Sequence, residues 1–232
     1  MSILYKYKKY KTKYLNLKKT INQKYSFYFI HSTTVYQNLL DILKIGILYP
    51  GKYLLPEQRK LYGEEPSDYV FMNIYFDDIG NIESSRSYAL LFHPKIMYED
   101  GFYFNKGWKT TPVNESVHIS KTDDQYEINQ KIKSIHDFLE NPSLPQKIKE
   151  FHGSLHHEIL FDHPISLSNG NLIGIICDYC DSSTWDLETQ IKLTKPSDEQ
   201  FKLIKKAVKD KPYAHVKIFT RNTPMPKLNG LI

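Results

Sequence analysis

Cysteine is nearly missing from this chain: two occur in 232 residues, both within Cys177-Asp178-Tyr179-Cys180. That excludes a disulfide framework and fits a reducing compartment, so a cytoplasmic protein is expected. There is no run of 18 or more apolar residues, and no transmembrane segment is expected. The basic N-terminus lacks the continuous apolar stretch and small-residue cleavage site of a secretory signal. Glycine is scarce at ten residues, and no Gly-rich phosphate loop of the P-loop or dinucleotide-fold type is present. No Gly-x-Ser-x-Gly elbow occurs, which argues against a hydroxyl-nucleophile hydrolase of that kind.

Aromatic residues, by contrast, are abundant, with 18 Tyr and 12 Phe. The hydrophobic fraction of 41% and charged fraction of 25% are ordinary for a globular chain, enough for one large domain with an appendage. The net charge of +5 is unevenly spread. Residues 1–24 carry eight lysines and no acid, which leaves +5 − 8 = −3 for the remainder. The basicity therefore belongs to a tail, and the domain, expected over residues 25–232, is mildly acidic. In that tail Ile3, Tyr7, Tyr10, Tyr14, Leu17 and Ile21 recur at alternating spacings of four and three. This seam predicts a basic amphipathic helix. Such a helix can lie on its own domain, pair with another copy, or contact an anionic membrane or a nucleic-acid backbone.

Apolar runs predict strands at Phe27–Ile30, Asp68–Phe76, Tyr88–Pro94, Gly101–Asn105, His156–Phe161, Leu172–Cys177 and Val216–Phe219. Helices are expected at Leu39–Ile45 with Gly46 closing it, at Tyr126–Leu139, and at Ser197–Lys209. Residues 109–125 read as a loop. Strands outnumber helices without alternating regularly with them, so the expected class is α+β with a mostly antiparallel sheet and flanking helices.

Two polar features stand out against this apolar background. His31-Ser32-Thr33 ends the first strand and leads into the first helix, a junction where backbone N–H groups and short polar side chains meet ligands. Glu158 opens a later strand, sharing a face with Leu160 while Ile159 and Phe161 take the other; a carboxylate beside apolar neighbours calls for a partner or a task. A second constellation is His152, His156, His157 and His163 together with Cys177 and Cys180, a set of zinc-ligand types whose order matches no finger pattern. A non-enzymatic structural or nucleic-acid-binding protein is the remaining alternative, suggested by the Lys/Tyr-rich tail and the aromatic-rich domain.

The first pair of features resembles the ADP-ribosyltransferase fold family, in its His-type branch. The resemblance lies in His31-Ser32-Thr33 followed by Leu39-Leu40-Asp41-Ile42-Leu43-Lys44-Ile45-Gly46-Ile47-Leu48, and in Glu158-Ile159-Leu160-Phe161-Asp162-His163-Pro164-Ile165. It implies a split β-sheet, NAD as co-substrate, and transfer of ADP-ribose to a macromolecular acceptor that the motifs do not identify. It also implies Glu158 and His31 as catalytic residues. His31, Ser32 and Thr33 would bind the dinucleotide, with Tyr69 or Tyr75 stacking on nicotinamide, and no metal is required. Many members have Gly after the His, where this chain has Ser32. Separately, the segment from Tyr7 to Lys18 is similar to N-terminal segments of giant-DNA-virus proteins of the mimivirus kind, which implies a host cytoplasm or virion setting.

Overall fold

The computed structural model describes residues 26–33, 36–54, 68–76, 88–107, 111–140, 157–177, 185–186, 191–192 and 198–219. The basic tail, Cys180, His152 and His156 lie outside them. Eight strands form one sheet, in the spatial order β12-β9-β4-β1-β3-β7-β5-β6. These are β1 (Phe27–Thr33), β3 (Val70–Phe76), β4 (Tyr88–Phe92), β5 (Gly101–Asn105), β6 (Val117–Ser120), β7 (Glu158–Phe161), β9 (Leu172–Cys177) and β12 (Lys217–Phe219). Every neighbouring pair is antiparallel except β12 with β9. Short two-stranded pieces join β2 (Ile47–Leu48) to β8 (Ile165–Ser166) and β10 (Trp185–Asp186) to β11 (Ile191–Lys192). The α+β, mostly antiparallel expectation is met.

The central strands β1 and β4 are apolar on both faces because both faces are covered: Phe27 through Ile30 and all of Tyr88–Phe92 are buried. On the first face Phe29 meets the rings of Phe27, Phe102 and Phe161 at centroid distances of 5.6, 5.2 and 5.4 Å. Three helices supply the rest of this core. They are α1 (Tyr36–Ile45) with Leu39, Leu40 and Leu43, α3 (Gln125–Glu140) with Ile128, Ile132, Ile135 and Leu139, and α4 (Asp198–Val208) with Ile204 and Val208. Their spacing gives each an apolar stripe. A one-turn helix, α2 (Met97–Asp100), precedes β5. The second face carries a smaller cluster of Tyr28, Ile30, Ala89, Leu91, Ile176 and Phe219, with Tyr75 and Ile173 against it.

Local chemistry sets the helix ends. Asp124 Oδ1 accepts the Glu127 N–H at 2.8 Å while Glu127 Oε2 accepts the Asp124 N–H at 3.0 Å, a reciprocal cap at the start of α3. Gly46 at φ +82° ends α1 as expected, its N–H donating to the Ile42 carbonyl at 2.8 Å. The Tyr36 hydroxyl donates to the Gln200 carbonyl at 2.7 Å and ties α1 to α4, and burial pushes that phenol far above its ordinary value. One expectation needs correcting. Residues 109–125 are not all loop, since Val117–Ser120 pairs with β5 as the edge strand β6. Its alternation is too short and too polar to stand out, and the pairing with Gly101–Phe104 supplies what the local sequence does not.

Candidate functional site

The site begins with a change of partners along β3. Residues Asn73–Phe76 pair with β1, in the register Ile30↔Asn73 to Phe27↔Phe76. Residues Val70–Met72 pair with β7 on the other side, from Val70↔Phe161 to Met72↔Ile159. Beyond Ile30, β1 continues only against β4, with His31↔Leu90, Ser32↔Ala89 and Thr33↔Tyr88. The sheet is therefore split, with β3 shared between the halves. His31 is the first residue past the β1–β3 parting, and Glu158 the first past the β3–β7 parting. Two strand spacings separate their strands, about 10 Å.

His31 is half-buried, and its Nδ1 donates to the Phe71 carbonyl oxygen at 2.9 Å. The bond crosses the gap that opens where β1 leaves β3. With Nδ1 committed to the backbone, Nε2 is the ring atom through which His31 can meet a ligand hydroxyl. Glu158 is half-buried and lies opposite Asn105 of β5. Asn105 is fully buried and held at both ends, donating through Nδ2 to the Thr111 carbonyl at 2.9 Å and accepting through Oδ1 from the Ser116 hydroxyl. A residue fixed by side-chain bonds thus stands opposite Glu158 in the ladder.

Strand alternation assigns the other expected residues to faces. Phe71 and Tyr103 both lie opposite Leu160, so they share the second face with Glu158. Ser32 and Tyr75 share it too, since Ile30 faces Asn73 and Tyr28 faces Tyr75. His31 and Thr33 alternate onto the first face, and Thr33 is buried. The two candidate stacking tyrosines are not interchangeable: six residues of β-chain, about 20 Å, separate Tyr69 from Tyr75. Tyr75 packs its ring on Tyr28 at 4.7 Å, at the end where β3 is paired with β1. Tyr69 lies at the parted end, edge-on to Tyr103 at 6.4 Å, and Tyr103 stacks on His118 at 4.2 Å. Burial raises the Tyr69 phenol, helped by Tyr103, Asp162 and Asp68.

The zinc set is not brought together in its described members. His157 and His163 bracket β7 at opposite ends, and the buried Cys177 lies on β9, four strand positions from β7 in the sheet order. That separation is about 19 Å. Nε2 of His157 moreover accepts the Ile74 N–H at 3.0 Å. Elsewhere, His136, Asp137 and Glu140 bring ligand atoms within 4.8 Å on α3, in the i, i+4 geometry of an ordinary helix pair.

Sequence reasoning missed Asn73, Asn105, Tyr103 and His118, and named His157 only as a possible zinc ligand. Two of these carry a visible signal, an amide inside or ending an otherwise apolar run: Val70-Phe71-Met72-Asn73-Ile74 and Gly101-Phe102-Tyr103-Phe104-Asn105.

The architecture defines an α+β protein built on a split, mostly antiparallel sheet with its polar residues at the parting. The chain belongs to the Family of unknown function (DUF5846), whose profile matches residues 24–142. It is 51% identical over 229 residues to the uncharacterized protein R11 of Acanthamoeba polyphaga mimivirus, covering 98% of this chain and 83% of that protein. The giant-virus resemblance of the Lys/Tyr segment is thereby met. Among solved structures, the chain is similar to DarT of Thermus sp. 2.9 in complex with NAD+. That match has 13% identity and a TM-score of 0.46, covering 84% of this chain and 95% of the other. It is also similar to Thermosipho africanus DarTG in complex with ADP-ribose, at 12% identity and a TM-score of 0.39, covering 85% of this chain and 50% of that one. No described helix is long and apolar enough to cross a membrane.

Proposed function

We propose that this chain is an NAD-dependent ADP-ribosyltransferase. The observation that carries the reading is the double parting around Met72 and Asn73, with His31 and Glu158 as the first residues beyond it on either side. The two side chains alternate onto opposite faces of the sheet, so a ribose meeting both would have to lie in the gap between the parted strands rather than on either face. His31 Nε2 would bind one ribose hydroxyl, and the Ser32 backbone would grip the nicotinamide amide. The Glu158 carboxylate would bind the 2′-hydroxyl and stabilise the positive charge that develops on the ribose ring.

In the reaction the bond between ribose C1′ and the nicotinamide nitrogen breaks, and its electron pair leaves with neutral nicotinamide. The acceptor's nucleophilic atom bonds to C1′ and gives up one proton. The acceptor is a macromolecule, protein or nucleic acid. Of the two tyrosines, Tyr69 suits nicotinamide stacking better, because it sits at the end of β3 that β1 has left, beyond His31, and Tyr75 sits where β3 and β1 are paired.

The test is to incubate the full chain with NAD carrying label in its adenylate half, alone and with host protein or nucleic acid. Nicotinamide release with transfer of the label is expected. A folded chain that gives neither release nor transfer overturns the reading.

A further inference from the structure

At the step before Glu158 the ladder between β3 and β7 changes its chemistry. The last backbone pair is Met72↔Ile159, and the same register continued sets Ile74 opposite His157. A further rung there would use backbone groups of both strands. The bonds formed involve side chains instead: the Ile74 N–H donates to His157 Nε2 at 3.0 Å, and Asn73 Nδ2 donates to the His157 carbonyl at 2.9 Å. On its other edge β3 is held by β1 through Phe29↔Ile74 and Ile30↔Asn73. The His157 ring is buried, 5.7 Å from the ring of Phe104 on β5. Since Nε2 receives an N–H, it carries the lone pair and the ring's proton sits on Nδ1.

We propose that His157 and Asn73 form a side-chain latch that fixes Glu158 in place, making His157 a positioning residue for the carboxylate. The inference rests on the transferase reading of Glu158. A strand end frays unless something closes it, and Glu158 is the first residue of β7. The latch closes that end on the β3 side, while Asn105 flanks Glu158 on the β5 side. Polar side chains therefore act on both sides of Glu158, with His157 and Asn73 bonded toward β3 and Asn105 bonded to Thr111 and Ser116 on the β5 side. A displacement of about 1 Å at such a group costs on the order of 10²-fold in rate.

The experiment compares the full wild-type chain with His157→Phe, His157→Gln, Asn73→Ala and Glu158→Gln. Each is assayed for kcat and KM of nicotinamide release, and for amide hydrogen exchange at Ile74 and Glu158. His157→Phe keeps the ring's bulk without an acceptor, whereas the Gln carbonyl reaches roughly where Nε2 lies. Asn73 is exposed, so Asn73→Ala tests the latch even if the buried position tolerates no change. Faster exchange in the Phe and Ala variants, a kcat lowered by roughly one to two orders of magnitude at near-constant KM, and recovery in His157→Gln are expected. Unchanged exchange in both variants overturns the latch, and faster exchange with unchanged kcat overturns the positioning role of His157. An inactive wild type, or an unimpaired Glu158→Gln, overturns the transferase reading instead and takes the positioning role with it, while the exchange data still decide whether the latch holds the strand.

Discussion

His31 and Phe71 are joined across the mouth of the split, imidazole Nδ1 to carbonyl oxygen at 2.9 Å. The bond supplies the Phe71 carbonyl with a donor at the level where β1 has left β3, and it orients the ring that the transferase reading uses. His31→Asn keeps a donor near the position of Nδ1 and removes Nε2; His31→Ala removes both. Both variants are expected to lose about 10-fold or more in kcat/KM for NAD, as a hydrogen bond to substrate worth roughly 1–2 kcal/mol would require. The Ala variant should also melt earlier, and the Asn variant should not. Nicotinamide-release kinetics together with calorimetry separate the two effects.

Glu158→Gln preserves shape and removes charge. If the carboxylate stabilises the ribose cation, kcat falls by about 10²- to 10³-fold with the melting temperature nearly unchanged. Steady-state kinetics on the folded variant decide it, since retained turnover would remove Glu158 from the chemistry.

Gly101 ends α2 and begins β5 at φ +82°, and a Cβ there would sit 2.1 Å from the Ile119 carbonyl oxygen. Both the backbone angle and the clash oppose any side chain. Gly101→Ala should destabilise the chain by about 2 kcal/mol or more, read as a lower denaturant midpoint. Because the clash pushes directly on β6, exchange at Ile119 and Ser120 should rise first.

Asp123 links the end of β6 to α3. Burial alone would raise its carboxyl, but the hydrogen bond from Lys131, the Ser120 N–H and the lysine's charge outweigh it, and the group lies below its ordinary value of 3.8. The unfolded chain then binds this proton more readily than the folded one. Its stabilisation is complete above the ordinary value and is lost as pH falls through the lowered one. Acid titration of the melting temperature should show this loss, and Asp123→Asn should abolish that component while costing about 1 kcal/mol at neutral pH.

His93 behaves similarly at a higher pH. Burial first, and then the charge of Lys95, lower it from 6.5, and its Nδ1 accepts the Lys95 N–H at 3.0 Å to cap the turn Pro94–Ile96. A depressed histidine stabilises the fold above 6.5 and loses that contribution as pH drops through the lowered value. His93→Asn, a cap that does not titrate, should flatten stability between about pH 7 and 5.

Much of this was legible in the sequence where local pattern decides the outcome. Gly101–Asn105 and Leu172–Cys177 are uniform apolar runs and form strands over those residues, and Gly46 closes α1 because its left-handed angle suits glycine. The Glu158 alternation held as well, with Ile159 and Phe161 in the main core. What the pattern could not carry was pairing. Val117–Ser120 is a strand because β5 is beside it, and Tyr69 and Tyr75 were equivalent until the partner change of β3 put them at opposite ends. Ser32, where a glycine would be usual in the resembling family, lies half-buried opposite Ala89.

The strand order also has a consequence for synthesis. β7 lies between β3 and β5, both of which precede it in the chain. On the ribosome both older strands emerge before the strand that lies between them in the finished sheet, and that strand is complete only when Phe161 has cleared the exit. It is the strand that carries Glu158. A nascent chain, or one terminated before residue 158, therefore carries His31 without the carboxylate, and the complete pair comes into being only once β7 is made.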